Sequence, residues 1–184
     1  MHQAKSSFQP LALFLTVIAA LLRLVPHPPN FAPIGGMALF GGSRLRGWQA
    51  FGVPLLAMLV TDPILSHMLG YPAYSKATPV IYLSFLIYVL LGRMFLRDNF
   101  KPARVAAVCF LGSLQFFLLT NLLVWWGSGL YAHNAVGLSA CYIAGLPFFA
   151  RTVLADLFYS AVLYLAYFGL TKRFHTADLS RSAY

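Results

Sequence analysis

The sequence contains no glutamate. Its four acidic residues are all aspartates, set against 13 Lys and Arg, and charged residues make up only 9% of the chain. Soluble domains carry roughly a quarter charged residues, so this complement excludes a water-facing surface of ordinary kind. Two cysteines, Cys109 and Cys141, lie in apolar stretches without metal-ligand spacing, which argues against a disulfide framework. No nucleotide-binding motif is present, so the chain cannot by itself draw on ATP. Internal repeats and low-complexity segments are also lacking.

What is present is apolar. Of 184 residues, 60% are hydrophobic, and the mean hydropathy is +0.74. A spanning helix needs about 20 mostly apolar residues, so the chain has length for about six spans and little else. The expected architecture is an all-α integral membrane protein, one bundle in a single membrane domain over residues 1–184. The helices are expected at about 9–25, 33–42, 48–69, 79–96, 103–126 and 147–170. The apolar run 8–22 reads as an uncleaved first helix rather than a signal peptide. Helix 2 is short: ten residues span only about 15 Å. It is either a half-span continued by irregular backbone or a re-entrant segment, and such backbone must be buried in protein or line a wet cavity. Residues 127–145 read as a loop.

The net charge of +9 would suggest nucleic acid in a soluble protein, but here the basic residues sit in gaps between apolar runs, as lipid-flanking charges do. With the N-terminus cytoplasmic, the inner side carries Lys5, Arg44, Arg46, Arg93, Arg97, Lys101, Arg104, Lys172, Arg173 and Arg181. The outer side carries Arg23, Lys76 and Arg151. Ten against three favours both termini inside. The setting implied is the bacterial inner membrane.

An ionisable residue within a span marks a candidate site. Counting along the helices puts Asp62 about 20 Å and Asn121 about 27 Å from the inner face, and Asp156 about 14 Å below the outer one. All three fall in the outer half, with Arg151 one turn below the outer face and Arg23 at the outer end of helix 1. These groups, with His27, Asn30 and Trp125 from the outer segments, form the candidate substrate-binding set: Arg23, His27, Asn30, Asp62, Asn121, Trp125, Arg151 and Asp156. The segments 26–31, 66–71 and 125–134 are rich in aromatic, amide and imidazole groups suited to small molecules. Outward helix N-termini together with Arg23, Lys76 and Arg151 point to a ligand bearing a negative group. Each residue also has a structural role open to it. Asp62 can pair with Arg23 or Arg151, and Asp156 can pack with Thr152, Tyr159 and Ser160. Trp48, Trp125 and Trp126 can form an aromatic belt. His27, His67 and His133 could hold a transition metal, although their spacing is not that of a local ligand set; separately, His2 directly after Met1 could act with a free amino end as a metal clamp, on the cytoplasmic side. No catalytic residue, cofactor or metal is assigned. The two membrane aspartates lack the Tyr-Asp and Gly-x-Gly-Asp contexts of an intramembrane protease.

The run Pro26-His27-Pro28-Pro29-Asn30-Phe31-Ala32-Pro33-Ile34-Gly35-Gly36, continuing to Gly41-Gly42, resembles the signature of an uncharacterised bacterial membrane family linked to transport. Thr61-Asp62, Thr120-Asn121 with Trp125, Gly137-Leu138 before Cys141-Tyr142, and Pro147-Phe148-Phe149 leading to Asp156 fit the same pattern. The likeness covers residues 23–164. That family is similar to the substrate-binding S components of energy-coupling factor transporters. The resemblance implies six helices and capture of a vitamin-like or other micronutrient from outside. It also implies docking on a transmembrane coupling subunit with two ATPases. Small residues on helix 1 make that contact in such subunits, and Ala12, Thr16 and Ala20 fall at the matching spacing.

Overall fold

The structure, a computed structural model, describes residues 9–70, 72–98 and 100–181. His2, Lys5 and Tyr71 lie outside them. Six helices account for the described secondary structure: α1 (Gln9–Leu22), α2 (Ile34–Arg44), α3 (Gln49–Leu69), α4 (Thr78–Phe95), α5 (Pro102–Gly127) and α6 (Ala135–Arg181). α3, α4, α5 and the Ala135–Phe174 stretch of α6 are long and apolar enough to cross a membrane, and α1 is a shorter apolar helix. Large side chains such as Val60, Met94, Phe110 and Leu165 stand exposed on their outer faces. That pattern suits hydrocarbon, and the chain is a multi-pass membrane protein.

The short helix is the core. Every residue from Ile34 to Ser43 is buried, and α2 packs against all five other helices. Glycine makes this possible. Gly42 lies on the Val89 carbonyl of α4, and Gly92 of α4 lies on the Leu39 carbonyl of α2, so that a Cβ on either would overlap the opposing backbone. Gly36 sits in the same way against the backbone of Tyr159 and Ser160 on α6. Close backbone approach of this kind replaces the hydrophobic effect, which lipid does not supply between helices.

α2 runs antiparallel to α1, since Gln9 Nε2 donates to the Arg44 carbonyl at 2.7 Å. It runs parallel to α6: Gly35 neighbours Asp156, and Phe40 meets the Tyr164 and Tyr167 rings at 5.3 and 5.7 Å. Eleven residues of helix cover only about 16 Å. The segment 23–33 that precedes it is non-helical. α2 is therefore the short helix expected, joined to irregular backbone at its N-terminal end. Asn30 in this segment takes a left-handed φ of 61°, which amide residues tolerate better than most, and Phe31 N–H closes the turn onto the Pro28 carbonyl at 3.0 Å.

The expected loop at 127–145 is corrected. α6 begins at Ala135, because Asn134 caps it: its side-chain oxygen accepts from Gly137 N–H at 2.9 Å, the bond an N-cap makes. Pro147, the expected helix start, lies inside α6, as prolines do in membrane helices whose neighbours satisfy the freed carbonyl. The helix also continues beyond 170 to Arg181. The first turns of α6 pack back on α5, where Tyr142 Oη donates to the Leu118 carbonyl at 2.8 Å and the Phe117 ring meets Tyr142 and Phe149 at 5.4 and 4.9 Å.

Candidate functional site

A cavity of about 520 Å³ opens at the end of the bundle where α1 leads into α2 and α3 into α4. Its rim is exposed: Val25, Asn30, Met68 and Ser75. Its floor is buried, formed by Gly35, Met58, Tyr88 and Asp156. It exists because α2 is short. A full-length helix would fill this volume; the irregular segment instead runs along its edge with Pro26, His27 and Asn30.

Two polar systems line it. The first joins three helices. Arg23, just past α1, pairs with Asp62 of α3 at 2.5 Å, with only 14% and 12% of the two side chains exposed. Arg23 Nη1 also donates to Thr61 Oγ1 at 2.6 Å, and Thr61 Oγ1 donates in turn to the Ala57 carbonyl at 2.8 Å. The other Asp62 oxygen accepts from Tyr82 Oη of α4 at 2.6 Å. The ion pair is thus hydrogen-bonded on both sides, as a partly buried charge pair needs to be.

The second lies deeper. Asp156 is 1% exposed. Its Oδ2 accepts from Tyr88 Oη at 2.6 Å and from Ser113 Oγ at 2.7 Å. Its Oδ1 faces Gly35 in the first turn of α2, where any side chain would overlap the carboxylate. The α2 N-terminus carries roughly half a positive charge, which suits a carboxylate there. Cys109 Sγ lies 3.3 Å from Ser160 Oγ beneath this group. Between the two systems runs an aromatic shelf: Phe85 stacks on Tyr88 at 5.5 Å and meets Phe116 at 5.4 Å.

Of the eight candidate residues, Arg23, His27, Asn30, Asp62 and Asp156 line the cavity, and Asn121, Trp125 and Arg151 do not. Asn121 sits at the α5–α6 contact, with Nδ2 donating to the Phe117 carbonyl at 2.9 Å and its side chain against Gly145. Trp125 Nε1 donates to the Ala132 carbonyl at 2.9 Å and packs on His133. Arg151 is exposed. Depth along a helix suggested Asn121 and Arg151, and an outer aromatic segment suggested Trp125, but neither signal says which way a side chain faces, and all three lie away from the cavity. Tyr82, Tyr88, Phe85 and Ser113 were missed. The signal was available in Tyr88 and Ser113, polar groups in the middle of apolar spans.

The expectation of an anionic ligand loses the support of its basic residues. Lys76 and Arg151 do not line the cavity, and Arg23 is already neutralised by Asp62. Asp156 packs with Tyr88 and Ser113, not through hydrogen bonds to Thr152 or Tyr159. His27, His67 and His133 are not gathered, and the described residues include no group of three His, Cys, Asp or Glu able to hold a metal. Ala12, Thr16 and Ala20 are 0%, 0% and 6% exposed. They pack inside the bundle, Thr16 close to Gly41 of α2, so they present no surface to a partner.

Fold and site together define a helical membrane bundle organised around a buried half-helix, with a polar-floored cavity open at one end. The chain belongs to the DUF6580 family, a family of unknown function, whose pattern matches residues 3–178. No curated protein and no solved structure matches the chain.

Proposed function

We propose that this chain captures a small molecule in the cavity, acting as a substrate-capture subunit or small transporter of the bacterial inner membrane. The observation that carries the reading is the cavity itself: about 520 Å³, within the range of small-molecule sites, with an aromatic wall and two fixed aspartates converging on it. Structural ion pairs need no void beside them; here polar groups that are costly inside a membrane border one. The basic-residue bias turns the open end outward. The resemblance to S components supplies the substrate class, a vitamin-like or other micronutrient, and the partner, a transmembrane coupling subunit with ATPases. That partner would contact a face other than Ala12, Thr16 and Ala20.

Native mass spectrometry of gently purified protein tests the reading. A single retained small molecule, lost in an Asp62→Ala variant that still folds, supports it. If no molecule is retained, and Asp62→Ala alters expression alone, the chain is a structural or assembly subunit of a membrane complex.

A further inference from the structure

The charges around the cavity do not balance. Arg23 and Asp62 cancel. Asp156 is left, and among the described residues it has no Arg, Lys or His partner: its bonds are the two hydroxyls on Oδ2. The N-terminus of α2 offsets roughly half of one charge. With Asp156 ionised, the cavity floor therefore retains about half a negative charge, enclosed by apolar walls in which it is poorly screened. Beside this carboxylate stand Tyr88, Phe85 and Phe116, the Phe85 ring centroid 5.5 Å from that of Tyr88 and 5.4 Å from that of Phe116, and Tyr82 also lines the cavity. A carboxylate at the end of an aromatic shelf is the recognition chemistry of an organic cation, since the ring faces carry the negative side of the quadrupole.

Resting on the capture reading above, we propose that the cavity takes a small organic cation: an ammonium or cationic heterocycle directed at the Asp156 carboxylate, with its apolar body on the Phe85–Tyr88–Phe116 shelf. The Arg23–Asp62–Tyr82 network closes the upper wall and repels neither sign, because its charges are paired. The same geometry disfavours an anion, which would meet Asp156 with no free cation beside it.

Three probes of similar size and different charge separate the outcomes: phenethylammonium, 2-phenylethanol and 3-phenylpropionate, read by thermal unfolding and calorimetric titration of the full chain in detergent. Phenethylammonium alone is expected to raise Tm. Asp156→Asn, which keeps size and hydrogen bonds, is expected to weaken it roughly tenfold or more, as removal of a desolvated charge partner does. Phe85→Leu is expected to weaken it roughly tenfold, about the worth of one desolvated cation–π contact; it carries the test if Asp156→Asn does not fold. Stabilisation by the carboxylate, equal stabilisation by alcohol and ammonium, or a cation affinity untouched by both variants overturns the cation assignment and leaves the capture reading standing. If no probe binds, the charge of a molecule retained in native mass spectrometry decides: a cation upholds the assignment and an anion or neutral molecule overturns it. If no probe binds and no molecule is retained, both readings fall.

Discussion

Gly35 and Gly36 at one end of α2, and Gly41 and Gly42 at the other, admit different neighbours. At the N-terminal end Gly35 makes room for the Asp156 carboxylate, and the space beyond is cavity. At the C-terminal end the same lack of side chain brings α4 and Pro54 of α3 into contact, and the remaining volume is filled. Arg44 there lies within 5.0–5.7 Å of the Phe100, Tyr164, Tyr167 and Phe168 ring centroids. Tyr164 Oη meets Ser43 Oγ at 2.6 Å, and Ser43 donates onward to the Phe40 carbonyl at 2.9 Å. One end of the helix is a closed joint and the other is an opening. The difference teaches that a half-helix can anchor a bundle by its packed end while its free end, with unpaired N–H groups, borders a site. Substitutions at the joint should cost stability; substitutions at the opening should change what binds.

The largest expected effect breaks the joint. Gly42→Ala and Gly92→Ala each push a methyl into opposing backbone, which cannot rotate away as a side chain can. Each should destabilise the folded protein by about 3 kcal/mol, the upper range for overpacking, measured as loss of Tm in detergent. Gly169→Ala is the control. No atom lies within 4 Å of its added Cβ, so it should leave Tm unchanged or raise it slightly through helix propensity.

Next comes the ion pair at the opening. Asp62→Ala leaves Arg23 without its counter-ion in a site 12–14% exposed, and should cost about 2 kcal/mol, less than a fully buried pair because the cavity admits water. Adding Arg23→Met should restore part of the loss, since the double variant leaves no orphan charge. A double variant no better than Asp62→Ala would mean that Arg23 finds other partners.

A smaller effect separates the two ends again. Tyr164→Phe removes the hydroxyl that meets Ser43 and keeps the ring against Phe40. It should cost about 1 kcal/mol, the ordinary worth of a hydrogen bond, and should leave ligand affinity unchanged. Tyr88→Phe deletes a comparable bond at the opening, to Asp156, and should change affinity as well as stability. If both act alike, the ends of α2 are not functionally distinct.

The sequence made the bundle legible through its apolar runs, and the shortness of α2 through the spacing of Pro33 and Gly42. It also made Arg23, Asp62 and Asp156 stand out, because charge inside an apolar run is rare. Three things were hidden. The Asn134 cap was masked by a stretch that reads as loop chemistry up to Pro147. The partners of Asp156 come from α4 and α5, and no spacing along the chain connects residues 88, 113 and 156. The facing of Asn121 and Arg151 depends on helix rotation, which the nearly uniform hydrophobicity around α5 and α6 leaves undetermined; an amphipathic soluble helix would have displayed it.

Arg151 gives the smallest expected effect and the sharpest use of the comparison. It lies on the same helix as Asp156, five residues earlier, so a reading by depth alone treats the two as equals. In the fold one is 1% exposed at the cavity floor and the other is exposed on the outer surface of α6. Arg151→Gln should therefore shift stability by no more than about 0.5 kcal/mol, as substitutions away from packed features do, and should leave the affinity of any retained ligand where it was. Measured beside Asp156→Asn in the same preparation, it asks whether charge near this depth matters or only charge that faces the cavity. A loss of affinity in Arg151→Gln equal to that in Asp156→Asn would place the ligand against the outer face of α6 and remove the cavity from the argument.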